Sequence, residues 1–226
     1  MRLIFTLFLL TIYYCVSAQK KESIIEFAPT FNNLPLELNK NYSFKNDSLK
    51  ISTLKFYVSN INFYQNNQFI DSISKKYNLI DFEYPETSSI KFLRTNSKAF
   101  NRISFSIGID SLTNVSGALG GDLDPTNGMY WTWQSGYIGL KLEGQSKLCN
   151  SKNNAFIFHI GGFQYPYNII QYVNFSCKVD RKIILNLDIS KFLNELNLSE
   201  IYEVMSPSKN AVAIAQQFSN AFKVFE

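Results

Sequence analysis

Leu49-Lys50-Ile51-Ser52-Thr53-Leu54-Lys55-Phe56-Tyr57-Val58-Ser59-Asn60-Ile61-Asn62-Phe63 alternates apolar with polar side chains over much of its length. A period of two puts successive side chains on opposite faces of an extended strand, so this stretch buries one face and shows the other. The same period recurs outward in both directions. Ile24 to Phe27 and Leu36-Glu37-Leu38 flank a turn-like Pro35, and Asn66-Asn67 makes a hairpin candidate before Phe69-Ile70-Asp71. Tyr77 to Phe82, Phe100 to Gly108, Tyr137 to Glu143, Ala155 to Ile160, Ile169 to Lys178 and Lys182 to Leu187 all read as strands. Two helices are expected: a short one over Asp188 to Leu193 and a longer one over Ala211 to Phe218, with Ser208 and Asn210 as cap candidates. Many short strands joined by turns predict an all-β chain: a single antiparallel β-sandwich or barrel-like domain with short helical additions near the C-terminus. Between Asp110 and Gly128 the composition shifts to Ser, Asn, Gly, Asp and Pro, which predicts a long ordered loop.

The chain begins Met1-Arg2, runs apolar from Leu3 to Ile12 and reaches Val16-Ser17-Ala18. That is the pattern of a secretory signal peptide over residues 1–18, which leaves one domain over 19–226 and an exported, periplasmic or secreted protein. The apolar run is shorter than the ~20 residues a spanning helix needs, and Tyr14 before Cys15 does not suit a lipid-attachment site. Cleavage takes Arg2 from the 22 basic residues, leaving 21 against 18 acidic ones with no dense basic block. Nucleic-acid binding has no support in that pattern, and neither does stable membrane insertion. Two cysteines remain after cleavage, Cys149 and Cys177. In an oxidising compartment a disulfide between them is expected, closing a loop of about 28 residues and stabilising by roughly 3 to 4 kcal/mol. The alternative is a thiolate metal pair, although the pair lacks Cys-x-x-Cys spacing.

Both tryptophans, Trp131 and Trp133, fall in the stretch from Leu123 to Tyr137. On a regular strand they share a face with Met129, which fits a packing stripe; exposed, they would offer a stacking surface to a glycan or a protein. The sole histidine, His159, lies in Phe156-Ile157-Phe158-His159-Ile160-Gly161-Gly162-Phe163, on the face of Ile157. It reads either as a hydrogen-bonded packing residue or as a ligand at a strand end, where glycines let another backbone come close. Thioether sulfur and imidazole together favour copper, so Met129 is a candidate ligand as well as a core filler. Asp122 and Asp124 are candidate carboxylate donors as well as turn formers. No nucleophile elbow, phosphate loop, dinucleotide fingerprint or zinc-protease helix motif is present, and no enzymatic activity is expected.

Gly128-Met129-Tyr130-Trp131-Thr132-Trp133-Gln134-Ser135-Gly136-Tyr137-Ile138-Gly139-Leu140-Lys141-Leu142-Glu143-Gly144, followed by Phe158-His159-Ile160-Gly161-Gly162, resembles the signature of the MbnP family of exported copper-binding proteins. Lys55-Phe56-Tyr57-Val58-Ser59-Asn60-Ile61 is similar to its early strand motif, and Val204-Met205-Ser206-Pro207 with Ala211 to Ala215 to its C-terminal region. The resemblance implies a β-rich protein that holds a single copper ion, as Cu(I) or Cu(II), for storage, acquisition or handover. In some members the ion lies beside a tryptophan that a partner di-haem enzyme oxidises to kynurenine; a copper-delivery protein is the other implied partner. Carried onto this chain, Trp131 and Trp133 are the oxidation positions and His159 is the imidazole ligand, with Met129, Asp122 and Asp124 as further donors. The chain departs from the pattern in its histidines. Family copper sites use more than one, this sequence has one, and Val115 stands after Asn114 where some relatives carry histidine.

Overall fold

The computed structural model describes residues 20–95, 99–133, 136–178 and 181–225. The expected leader, residues 1–18, lies outside the described residues. Three strands, β1 (Lys20–Phe31), β2 (Leu34–Pro35) and β3 (Asn41–Phe44), precede the long strand β4 (Asp47–Gln65), which contains the alternating stretch. Then come β5 (Gln68–Ser72), β6 (Tyr77–Asp81), β7 (Ser89–Thr95) and β8 (Arg102–Ile107), followed by the short helix α1 (Ser111–Val115). The chain continues through β9 (Tyr130–Trp131), β10 (Gly136–Ser146), β11 (Ala155–Gly161), β12 (Gln171–Ser176) and β13 (Lys182–Asp188). It ends with α2 (Ile189–Asn194), β14 (Glu203–Val204), α3 (Lys209–Ser219) and β15 (Phe222–Val224).

β4 pairs antiparallel with five strands, because its length gives each edge room for several partners. One edge takes β3, β6 and β5 in succession; the other takes β10 along Leu49 to Phe56 and β8 along Val58 to Tyr64. Where β8 ends and β10 begins the two backbones nearly touch, and a Cβ on Gly139 would sit 3.2 Å from Gly108 Cα. Only glycine fits there. The alternation of β4 is imperfect for a structural reason. The register against β10 shifts at Ser52, a bulge that returns Ile51 and Leu54 to the same buried face.

A second sheet runs β15-β13-β1-β2, with β7 also on β1, and packs against the long sheet, which curls into a half-barrel. Between them lies a core of interlocked rings: Phe27 meets Phe56 and Phe105 edge-on at 5.8 Å, and Phe218 of α3 meets Phe56 at 5.3 Å. Each such contact is worth roughly 0.5–1.5 kcal/mol beyond the area it buries. α3 starts where expected, with Ser208 Oγ accepting from the Ala211 amide at 3.1 Å. Hairpin turns use paired residues in the left-handed region at Asn32-Asn33, Lys45-Asn46 and Asn66-Asn67. Asparagine tolerates positive φ, so these pairs suit two-residue hairpins.

Several expectations are revised. Leu36-Glu37-Leu38 is not a strand: Leu36 donates to Pro29 O at 2.9 Å, and Leu36 and Leu38 tuck against the core from a loop. β7, unforeseen, has buried Ile90 and part-buried Phe92 flanking exposed Lys91. The pairing is also not wholly antiparallel, since β1 runs parallel to β13 and β11 to β14. The expected disulfide is absent, and Cys149 and Cys177 are both free thiols. Topology explains it: Cys149 follows the end of β10 that pairs with Leu49, whereas Cys177 follows the end of β12 that reaches, through β8, the level of Tyr64. Most of the length of β4 separates them, far beyond the ~7 Å between Cα atoms that a disulfide spans.

Candidate functional site

The outer face of the half-barrel carries a second, smaller core made of Tyr57, Ile109, Leu123, Met129, Trp131, Tyr137 and Ile138. Tyr57 reaches it because, on β4, it faces away from its buried neighbours Phe56 and Val58. The long polar segment after β8 folds over this cluster and is ordered, as its composition predicts. It contains α1 and two 3-10 turns, Gly121–Leu123 and Pro125–Asn127. Two phenols tie it down: Tyr57 donates to Asp122 O at 2.8 Å, and Tyr137 donates to Leu123 O at 3.1 Å while accepting from the Leu119 amide at 2.9 Å. Burial pushes the Tyr57 phenol up, so it stays a donor.

Asparagine and aspartate fasten the start of the segment. Asn114 Nδ2 donates to Ile109 O and Asp110 O at 3.0 Å, and its Oδ1 accepts from the Tyr137 amide at 2.8 Å. Asp110 caps α1 through Thr113 N at 2.9 Å, pairs with Lys76 at 2.8 Å and accepts from Tyr77. Burial alone would raise the Asp110 carboxyl, but those bonds outweigh it and hold the group far below the usual carboxylate range.

The tryptophans part company. β9 stops at Trp131, which is 5 % exposed, and the chain then turns so that Trp133 emerges at 65 % exposed. Their rings stay adjacent, with centroids 5.6 Å apart at 43°. The benzo edge of Trp131 lies on Gly161, where an added Cβ would stand 2.6 Å from Cζ3 and 2.8 Å from Cη2. Trp131 Nε1 is buried and has no hydrogen-bond partner. Leaving a buried donor unmet costs about 1–3 kcal/mol.

Gly161 follows His159 by two positions, so the indole and the imidazole occupy neighbouring places on one face of β11. The inward residues of that strand are Phe156, Phe158 and Ile160. His159 Nε2 meets Glu143 Oε1 at 2.6 Å, and Thr53 Oγ1 donates to Glu143 Oε2 at 3.3 Å. Lys141 Nζ stands 3.8 Å from the same carboxylate and donates to Gly128 O at 3.3 Å. The His159 hydrogen bond, more than the charge of Lys141, holds the Glu143 carboxyl below its ordinary value. Glu143 escaped the sequence reading because its link to His159 is diagonal: His159 pairs with Lys141, and Glu143 pairs with Ile157. The shared face of Lys141 and Glu143 in β10 was the signal available.

The other expected donors are committed elsewhere. Both oxygens of Asp122 take Lys75 Nζ at 2.8 Å, and Oδ2 also accepts the Leu79 amide at 2.8 Å. Asp124 caps its turn, accepting from Thr126 N at 2.9 Å and Oγ1 at 2.7 Å, and these bonds lower its carboxyl. Met129 is fully buried in the second core. The fold therefore brings Met129, Trp131 and His159 to one face and sets Trp133 at a tilt against Trp131, but it engages Asp122 and Asp124 in the loop and toward β6. Among the described residues no group of three or more His, Cys, Asp or Glu gathers in a way that could hold a metal ion.

No curated protein matches the chain. Among solved structures, MbnP from Methylosinus trichosporium has a similar fold, with a TM-score of 0.60 at 14% identity over 91% of this chain and 98% of that one. The MbnP family model matches residues 20–206, a span that takes in the long sheet, the second core, both tryptophans and His159, and the chain therefore belongs to the MbnP family.

Proposed function

We propose that this protein is an exported, non-enzymatic copper-handover protein whose His159, set between Glu143 and the buried indole of Trp131, is an open half-site that a partner completes. The observation that carries this reading is the packing of Trp131 on Gly161, two positions from the only histidine of the chain. Family membership and the leader pattern at residues 1–18 support it. Imidazole nitrogen suits copper, and a mixed nitrogen and oxygen set suits Cu(II) better than Cu(I). The donors of this chain nevertheless do not fit a closed copper site: His159 and Glu143 are bonded to each other, Lys141 crowds the carboxylate, and the remaining candidates are engaged elsewhere. Such a sparse donor set favours release over storage.

Of the two indoles Trp131 is the one beside His159, while exposed Trp133 is the one an outside oxidant meets first. Titration of Cu(I) and Cu(II) into the mature protein should show one equivalent, held weakly enough for a competing chelator to strip and lost in His159→Ala. No saturable binding, or binding unchanged in His159→Ala, refutes the half-site. Intact mass of protein from its native host tests whether Trp131 is converted to kynurenine.

A second reading, a metal-free contact module for a glycan or protein, is favoured by the exposure of Trp133 and by two charge-free segments of the chain. Residues 111–121 and 160–177 contain no charged side chain, and Leu112, Val115 and Tyr165 are exposed there at 76 %, 70 % and 97 %. Ser111 Oγ donates to Phe163 O at 2.7 Å, which joins the two segments. Aromatic, charge-depleted surface is characteristic of interface centres. On this reading Trp133→Ser abolishes partner binding and copper has no effect on it.

A further inference from the structure

A cleft of about 380 Å³ opens between the two sheets, where Ile70 to Lys75 face β7. None of its lining residues belongs to the His159 and Trp131 site. Its floor is aromatic: Phe63 and Phe100 are almost wholly buried, and Phe63 packs on Phe92 at 4.8 Å and on Phe100 at 4.6 Å. Ile70 adds an aliphatic wall. The rim carries Lys75, Lys91 and Arg94 alongside Glu22 and Asp71.

These cations differ in how far they are satisfied. Lys75 is held by Asp122 at 2.8 Å, and Lys91 has only a long, exposed contact to Glu22 at 4.0 Å. Arg94 Nε is buried without a hydrogen-bond partner, and its guanidinium carbon lies 5.9 Å from the Phe100 ring centroid. Asp71, also at the rim, is itself engaged. A buried guanidinium nitrogen without an acceptor is costly, and here it borders an apolar cleft of ligand size.

The geometry points to a binding site for a small amphiphilic carboxylate, its apolar tail on Phe63, Ile70, Phe92 and Phe100 and its head group on Arg94. Guanidinium and carboxylate suit each other in charge and in the fork geometry of their hydrogen bonds. The tail supplies affinity through burial and the head supplies selection against neutral or cationic amphiphiles. The volume is near the lower limit for ligand pockets, which limits the tail to a short one.

Calorimetric titration of the full mature chain with decanoate, hexanoate, decanol and decyltrimethylammonium tests the assignment. Decanoate should saturate at one equivalent and bind at least about tenfold more tightly than decanol, since a hydrogen bond to a charged group is worth that much. Hexanoate should be weaker by about fourfold per methylene removed. Arg94→Gln should erase the preference for decanoate over decanol, while Lys91→Gln, on the opposite face of β7, should leave most of it in place. His159→Ala should leave decanoate binding unchanged, which separates failure of the cleft from failure of the copper half-site. Absence of saturable decanoate binding, equal binding of decanol or of the cationic amphiphile, or an undiminished preference in Arg94→Gln whose melting matches the parent would each overturn the site.

Discussion

Gly161→Ala tests the placement of Trp131 more directly than any change to the tryptophan itself. The new methyl would stand 2.6 Å from Cζ3 and 2.8 Å from Cη2 of the indole, and 2.8 Å from Tyr137 O. Carbon pairs in contact prefer roughly 3.5–4.0 Å, so the ring must move by about 1 Å. It has little freedom to do so: Trp131 is only 5 % exposed, with the tilted ring of Trp133 against it. Overpacking of this kind costs about 1–3 kcal/mol. Gly161 does not have a positive φ, so alanine fits the backbone and regains about 0.4–1 kcal/mol by restricting the unfolded chain. The net loss is about 1–2 kcal/mol, or a melting temperature lower by about 2–8 °C for a chain of this size. Near-ultraviolet circular dichroism from the displaced indole should weaken in parallel. Gly120→Ala is the control, because nothing lies within 4 Å of its added Cβ. Equal melting of Gly161→Ala and the parent, or equal losses in Gly161→Ala and Gly120→Ala, would refute the packing of Trp131 on β11.

Gly144→Ala should be worse, at about 3 kcal/mol, because its Cβ would meet Lys50 O at 2.2 Å and the Phe156 ring at 2.3 Å, and backbone cannot swing aside; chemical denaturation measures it. Asp110 titrates with a folded value held below its unfolded one, so its contribution is complete above the ordinary carboxylate range near 4 and disappears as pH falls below that. Urea midpoints at pH 7 and pH 3 should therefore differ less in Asp110→Asn than in the parent, and identical pH dependence would contradict the network at α1. Burial pushes Cys149 and Cys177 up to about 11, so both should react slowly with thiol reagents in the native mature protein, and denaturant without reductant should reveal two thiols. Finding none would restore the disulfide. Tyr57→Phe removes the bond to Asp122 O, and should cost about 1 kcal/mol and raise protease sensitivity between Ser116 and Gly128.

The parts of the fold that follow from local pattern were legible in the residues. Alternation marked β4, Asn66-Asn67 marked its hairpin, and Ser208 marked the start of α3. What was not legible depends on partners distant in sequence. Nothing in Ile24 to Phe27 announces a parallel neighbour at Lys182 to Leu187, and nothing near Cys149 or Cys177 says that they finish strands pointing opposite ways. The candidate site divides in the same manner. Trp131 and His159 stand out by composition, but their adjacency is created by the pairing of β10 with β9 and β11, and Trp133 leaves the expected shared face because β9 ends one residue after Tyr130. Asp122 and Asp124 satisfy local backbone and Lys75 first, which a residue list cannot show.

The five partners of β4 make it the spine of the long sheet, and this has a consequence for how the protein can change. A one-residue slip of that strand would exchange the faces of Lys55, Phe56 and Tyr57 against every neighbour at once, so its register tolerates almost no tinkering. The segment from Ser111 to Gly128 is attached very differently. It rests on the frame through side-chain bonds, those of Tyr57, Tyr137 and Asn114 together with Asp122 on Lys75 and the Leu79 amide and Ser111 on Phe163 O, and no strand of the long sheet passes through it. Side chains of that flap can therefore be exchanged without altering the pairing of the sheet, so the surface laid over the second core can diverge while the scaffold beneath it stays fixed.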